Sequence, residues 1–228
     1  MADNVVHLLS TLALKGAVGH LADRYQAATG ARIDADFAPT LGLLKRLREG
    51  EAADVVILTR EGLEELVNEG RVTAESCIDL ARSYVGIAVN AGASHPDIAT
   101  EAALCATLLA ARSVAYSRIG ASGIFFAQLI ERLGIASGIN AKATITSDFT
   151  AMRLVTGEAD LAIQQISELK QVAGVEVLGP IPRELQTPAV FSAGSMAASP
   201  RAAQAHQLLR FLGLPEVAPV LQDSGLEP

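Results

Sequence analysis

Between Val5 and Gly70 the chain alternates short apolar runs with segments of helical spacing, one helix per crossover. That order restricts it to an α/β layer, because parallel strands need a crossover that packs back onto their sheet. Val5-Val6-His7-Leu8-Leu9 reads as a strand ending in Ser10-Thr11. Residues 13–29 place Leu14, Ala17, Val18, Leu21, Ala22 and Tyr25 on one helical face, and Gly30 closes the helix. Arg32–Phe37 is a second strand, broken by Pro39-Thr40. Residues 41–49 form an amphipathic helix. Asp54-Val55-Val56-Ile57-Leu58 is the third strand, and a helix over 61–69 follows. Its nearly unbroken apolar run suits a parallel strand covered on both faces.

The rhythm then changes. Strands are expected at 83–89, 113–116, 144–145, 161–163, 176–178 and 189–193, with helices at 101–110, 124–133, 149–156, 202–212 and 215–221. With 228 residues, against roughly 150 per domain, two lobes fit. The expectation is an α/β chain of two lobes, mixed sheets flanked by helices, with lobe 1 formed by 1–83 and 192–228 and lobe 2 by 84–191. Two crossings make a hinge, with a cleft between the lobes.

Composition narrows the function. Eighteen basic against 25 acidic residues give a net charge of −7, which opposes non-specific nucleic-acid binding. The absence of Trp and only 4% aromatics argue against a sugar- or base-stacking cleft. No apolar run reaches the roughly 20 residues of a membrane span, and no basic-then-apolar leader opens the sequence. Cys77 and Cys105 have no metal-ligand spacing, and whether they bond stays open. No His pair or His–carboxylate motif supports a metal, and neither a dinucleotide fingerprint nor a phosphate-binding P-loop is present, so no cofactor is expected.

Ligands of open α/β sheets sit beyond the carboxyl ends of strands. That rule selects Ser10, Thr11, Thr40, Arg118, the Gly120-Ala121-Ser122-Gly123 turn and Gln164-Gln165. All except Arg118 are neutral, a donor set for an anion held by hydroxyls and helix-terminal amides. Ser122 reads as a ligand contact or as a plain helix cap. Arg118 reads as a carboxylate fork or as a surface ion pair. Asp54 starts its strand, at the opposite end.

These stretches resemble the molybdate-binding branch of the type II periplasmic solute-binding proteins. The resemblance rests on Leu9-Ser10-Thr11-Leu12-Ala13-Leu14-Lys15, on 21–30, and on Gly50-Glu51-Ala52-Ala53-Asp54-Val55-Val56-Ile57-Leu58. It continues through Gly120-Ala121-Ser122-Gly123, Gly157-Glu158-Ala159-Asp160-Leu161-Ala162-Ile163-Gln164-Gln165-Ile166-Ser167-Glu168-Leu169 and Phe191-Ser192-Ala193-Gly194. It implies the type II periplasmic binding-protein fold closing on a small anion, either an oxyanion such as molybdate or a carboxylate. Carried over by motif, the ligand-binding residues are Ser10, Thr11, Thr40, Arg118, Ser122, Gly123, an amide of the loop at Phe149, and Gln165, which stands where the family has a tyrosine. The resemblance further implies a monomer in the periplasm, with the cytoplasm as alternative, and an ABC transporter permease as partner. Aconitate isomerases are similar to the same branch, which gives the alternative of an enzyme that shifts a double bond in a tricarboxylate. His7, Lys15 and Tyr116 are then the candidate bases.

Overall fold

The computed structural model describes residues 4–228. Along the chain run β1 (Val5–Ser10), α1 (Lys15–Thr29), β2 (Arg32–Phe37), α2 (Thr40–Arg48), β3 (Val55–Thr59), α3 (Arg60–Asn68) and β4 (Ile78–Ser83). Next come β5 (Val85–Asn90), α4 (Glu101–Ala110), β6 (Val114–Ser117), α5 (Ala121–Arg132), α6 (Ala136–Asn140) and β7 (Ala143–Thr146). The rest comprises α7 (Met152–Val155), β8 (Leu161–Gln165), α8 (Ile166–Leu169), β9 (Val175–Pro180), β10 (Ala189–Ser195), α9 (Ala202–Leu212) and α10 (Ala218–Asp223). Two compact units result, one holding the chain up to Arg82 together with Ala189–Pro228, the other Ser83–Pro188.

The first unit has a sheet ordered β2-β1-β3-β10-β4. β1 runs parallel to β2 and to β3, and β10 is antiparallel to β3. Strand alternation divides its apolar residues between two faces. Val55 and Ile57 pack with Leu14, just before α1, and with Val18, Leu21, Tyr25 and Leu208 of α1 and α9, while Val56 and Leu58 pack with Leu43, Leu47, Leu63 and Leu66 of α2 and α3. This double cover is why the β3 sequence is apolar throughout. Gly30 ends α1 at φ 71°, a left-handed position that glycine takes at no steric cost. Thr59 starts α3 by accepting the Gly62 amide on its hydroxyl at 3.3 Å.

The second unit has a sheet ordered β7-β6-β8-β5-β9. β6 is parallel to β7 and β8, and β5 is antiparallel to β8 and β9. Val114, Tyr116, Leu161 and Ile163 face Leu104, Leu108, Phe126 and Leu129 of α4 and α5. Ala115 and Ala162 face Leu154 and Leu169 of α7 and α8, and these small residues let the short helices approach the sheet closely. Gly86 is needed in β5, where a Cβ would lie 2.6 Å from Ile166 Cγ1 and 2.8 Å from the Gly179 carbonyl.

Several sequence expectations need correction. The strand expected at 83–89 is β5, Val85–Asn90, and a strand not expected from the sequence, β4, precedes it and ends at Ser83. β4 carries Asp79 and Arg82 among its apolar residues, as an edge strand does. The helix expected at 124–133 begins at Ala121, because the glycine-containing turn is its first turn. The helix expected at 149–156 is reduced to Met152–Val155. Cys77 and Cys105 are both free thiols. No helix among the described residues is long and apolar enough to cross a membrane.

Candidate functional site

In the first unit, β1 delivers Ser10 and Thr11, β2 ends at Phe37, and α2 opens at Thr40. Ser10 is fully buried, and its hydroxyl donates to the Thr11 carbonyl at 3.2 Å. The Thr11 amide is spent on the Ile57 carbonyl at 3.0 Å, while its buried hydroxyl has no partner. Lys15 opens α1 at the same end, its ammonium 5.8 Å from the Phe37 ring centre. These groups therefore share one edge of one sheet.

In the second unit the turn after β6 is built around Ser117. Its buried hydroxyl accepts the amides of Ile119 and Gly120, both at 3.2 Å. The amides of Gly123 and Ile124 return to the Gly120 carbonyl, which leaves Ala121 and Ser122 to present first-turn amides of α5. Ser122 is buried, with no hydrogen bond to its hydroxyl among the described residues. Arg118 stands exposed beside this turn and has no ion-pair partner among them.

Gln164 and Gln165 finish β8 and face different partners. Gln164 Oε1 accepts the Thr150 amide at 2.8 Å and the Thr150 hydroxyl at 3.0 Å, and its Nε2 donates to the Asp148 carbonyl at 3.2 Å. The loop carrying Phe149 is thereby fastened to the end of β8, with Phe149 half-buried against the α7–α8 core. Gln165 turns its amide nitrogen to the Ser83 carbonyl and hydroxyl and to the Tyr84 carbonyl, at 3.1–3.2 Å. Three of the four buried, unpartnered hydroxyls among the described residues lie at carboxyl ends or in the turns just after them: Thr11, Thr146 and Ser167. The fourth is Tyr25.

The three candidate bases lie apart. His7 is in mid-strand, three residues before Ser10, with Nδ1 3.1 Å from Asp34 on β2. Tyr116 is 1% exposed, stacked edge-on against Phe126 with centroids 5.1 Å apart, and its hydroxyl donates to Asn140 at 2.7 Å. Lys15 alone of the three lies at a carboxyl edge.

A fourth ionisable group had no place in the sequence reading. Glu168 lies in α8, one turn beyond β8, and is 8% exposed. Its carboxylate accepts the Gln165 amide and the Gln164 side chain, and burial pushes it up to about 8 against these two bonds. The amide bond is that of a capping box, with Gln165 as cap and Glu168 as third residue. The signal was present: Glu168 is the lone charge in Leu161–Leu169, an otherwise uncharged run.

Asp54 is the other buried carboxylate among the described residues, at 1% exposure, and it lies at the amino end of β3. It accepts the His7 amide at 2.9 Å and the Ser199 hydroxyl at 2.6 Å, with Arg201 Nη1 at 3.5 Å. It ties β1 and β3 to the turn before α9. Asp54→Ala should therefore destabilise the protein by about 2–4 kcal/mol, measured by urea unfolding, because it strands a partly buried amide and hydroxyl. Cavities of about 290 Å³, lined by His7 and Asp54 among others, and about 640 Å³, lined by Arg112 and Asp160 among others, open at amino ends of the parallel strands and include none of the carboxyl-end donors.

Chemically, both carboxyl edges offer hydroxyls and amides with few cations, a set matched to a small anion. Residues 6–227 match the family model described as bacterial extracellular solute-binding protein. An aconitate isomerase from Pseudomonas sp is 35% identical, with 97% of this chain and 87% of that protein aligned. The periplasmic molybdate-binding protein of Azotobacter vinelandii superposes with a TM-score of 0.84 at 17% identity, covering 98% of this chain and 99% of that one. The sulfate-binding protein SubI from Mycobacterium tuberculosis superposes with a TM-score of 0.79 at 16% identity, covering 98% and 86%. At such identities these two likenesses speak for the fold alone.

Proposed function

Because the chain belongs to the bacterial extracellular solute-binding proteins and has the two-lobe fold of type II periplasmic binding proteins, we propose that it binds an unsaturated tricarboxylate and shifts its double bond, as an aconitate isomerase does. The observation that carries this reading is the 35% identity to an aconitate isomerase along nearly the whole chain. The carboxyl-edge chemistry supports it. Removing a proton beside a carboxylate builds negative charge on that carboxylate, which fixed amide and hydroxyl donors stabilise. Thr11 and Thr40 supply hydroxyl donors in the first unit, and the Ala121 and Ser122 amides, the Ser122 hydroxyl and the loop at Phe149 supply them in the second, with Ser10 and Gly123 shaping the two edges. Gln165 braces the end of β8, and the guanidinium of Arg118 forks onto a carboxylate.

Incubating the protein with trans-aconitate and following the cis isomer by NMR tests the reading; an inert protein rejects it. Arg118→Ala should weaken tricarboxylate binding by about 1.5–3 kcal/mol in calorimetry, the worth of a charged hydrogen bond. It should leave the binding of a small tetrahedral oxyanion nearly unchanged.

A second reading is favoured by the neutral donor set itself: a binding protein that captures a small oxyanion or carboxylate in the periplasm and hands it unaltered to an ABC transporter permease. Calorimetry with molybdate, tungstate and sulfate separates the two. Tight oxyanion binding without turnover of trans-aconitate would establish this second reading.

A further inference from the structure

We propose that Glu168 is the acid–base catalyst of the double-bond shift, an assignment that rests on the isomerase reading. The step balances without a co-reactant. The Glu168 carboxylate takes a proton from the substrate's methylene carbon, and the C–H electron pair enters the allylic system and its adjoining carboxylate. The double bond then closes on the former methylene side, and Glu168 returns the proton to the former vinylic CH carbon. One group thus serves as base and as conjugate acid, which requires a proton affinity near neutrality.

Position, burial and surroundings support the assignment. β8 is the middle strand of its sheet, and Glu168 follows its carboxyl end by one turn. Of the two buried carboxylates among the described residues, Asp54 is at a strand's amino end with Arg201 beside it. Glu168 instead has two neutral partners, the Gln165 amide and the Gln164 side chain, and no cation shifts it. The strands packed against α8 add no cation: β5 and β8 are uncharged, and β9 carries Glu176, paired with His95 at 2.5 Å. A buried carboxyl with no cation beside it costs stability, and active sites are where such costs are kept. Gln164 also joins Glu168 to Thr150, so the carboxyl is tied to the loop that carries Phe149. Tyr116 and His7 are engaged elsewhere, with Asn140 and Asp34.

Glu168→Gln is the discriminating variant, because glutamine serves a capping box as well as glutamate does but takes no proton. The expected result with trans-aconitate is a fall in kcat of about 10²–10⁴-fold. KM and the calorimetric affinity for the tricarboxylate should stay within about threefold, since binding in this scheme uses other groups. A variant whose kcat stays within about tenfold of the wild type, or one that loses affinity in step with rate, overturns the assignment. Should the variant fail to fold, the wild-type pH profile decides. An ascending limb of kcat/KM near pH 8 is expected, and a flat profile from about pH 6.5 to 9 overturns the assignment. Wild type that leaves trans-aconitate unchanged refutes the isomerase reading itself. Active wild type with an active Glu168→Gln variant refutes the base alone.

Discussion

Gly123→Ala is expected to destabilise the protein by at least about 3 kcal/mol. The added Cβ would lie 1.7 Å from the Ser117 carbonyl oxygen, 2.4 Å from its carbon and 3.0 Å from its Cα. All three are backbone atoms at the end of β6, so no rotamer change relieves the overlap. Either α5 lifts from the strand end or the Ser117 turn opens. The clash breaks the hydrogen bonds that the Ser117 hydroxyl accepts from Ile119 and Gly120, and it moves Arg118 and Ser122 with them. Gly120→Ala is the internal control. Its Cβ would meet only the Ser117 Oγ at 3.6 Å and Cβ at 3.9 Å, which are ordinary contacts. Urea unfolding should therefore show a change of within about 1 kcal/mol for Gly120→Ala and a large loss for Gly123→Ala. Equal effects would remove the close-approach explanation for the glycine.

The same turn shows what the sequence made readable. Glycine beside serine after an apolar strand announces a tight strand-to-helix junction, and the strand-end rule located the donor candidates at such junctions. β3 was readable because a strand covered on both faces has nowhere to put a polar side chain, and α9 because Ala205, Leu208, Leu209 and Leu212 keep one face. β4 escaped because Asp79 and Arg82 interrupt it and a single residue, Tyr84, separates it from the next strand. α6 and α8, at five and four residues, are too short to show a helical period.

The chemistry was less readable than the fold. A parallel strand covered by helices has two interior faces, and the sequence does not say where along the strand a polar group meets solvent. Tyr116 thus reads as a candidate base from its place near the end of β6, while its side chain lies among Phe126 and Leu129 with its hydroxyl on Asn140. His7 has the same ambiguity, settled by Asp34 directly across the ladder. Glu168 went unnoticed for the converse reason. A glutamate in a helix is ordinarily solvated, and only the packing of α8 against β5, β8 and β9 buries it.

That burial leads to the second large effect: Glu168→Gln should make the protein more stable than wild type at alkaline pH. The folded state raises the Glu168 carboxyl from its ordinary 4.5 to about 8, so the folded chain binds that proton more tightly than the unfolded one. Its stabilising share is complete below 4.5 and is lost as pH rises through 8. At pH 5 both side chains are neutral, and the variants should be close. Above that the wild type gives up about 1.4 kcal/mol per pH unit relative to Glu168→Gln, until the folded carboxyl ionises near pH 8. Other titrating groups are common to both proteins and cancel in the difference, which is why paired urea unfolding from pH 5 to 9 isolates this residue. A difference that stays flat across the range would mean the carboxylate is already ionised and solvated in the folded protein, and the acid–base role would fall with it. A widening gap would show that the fold bears a standing cost to keep a protonatable group at the end of its central strand.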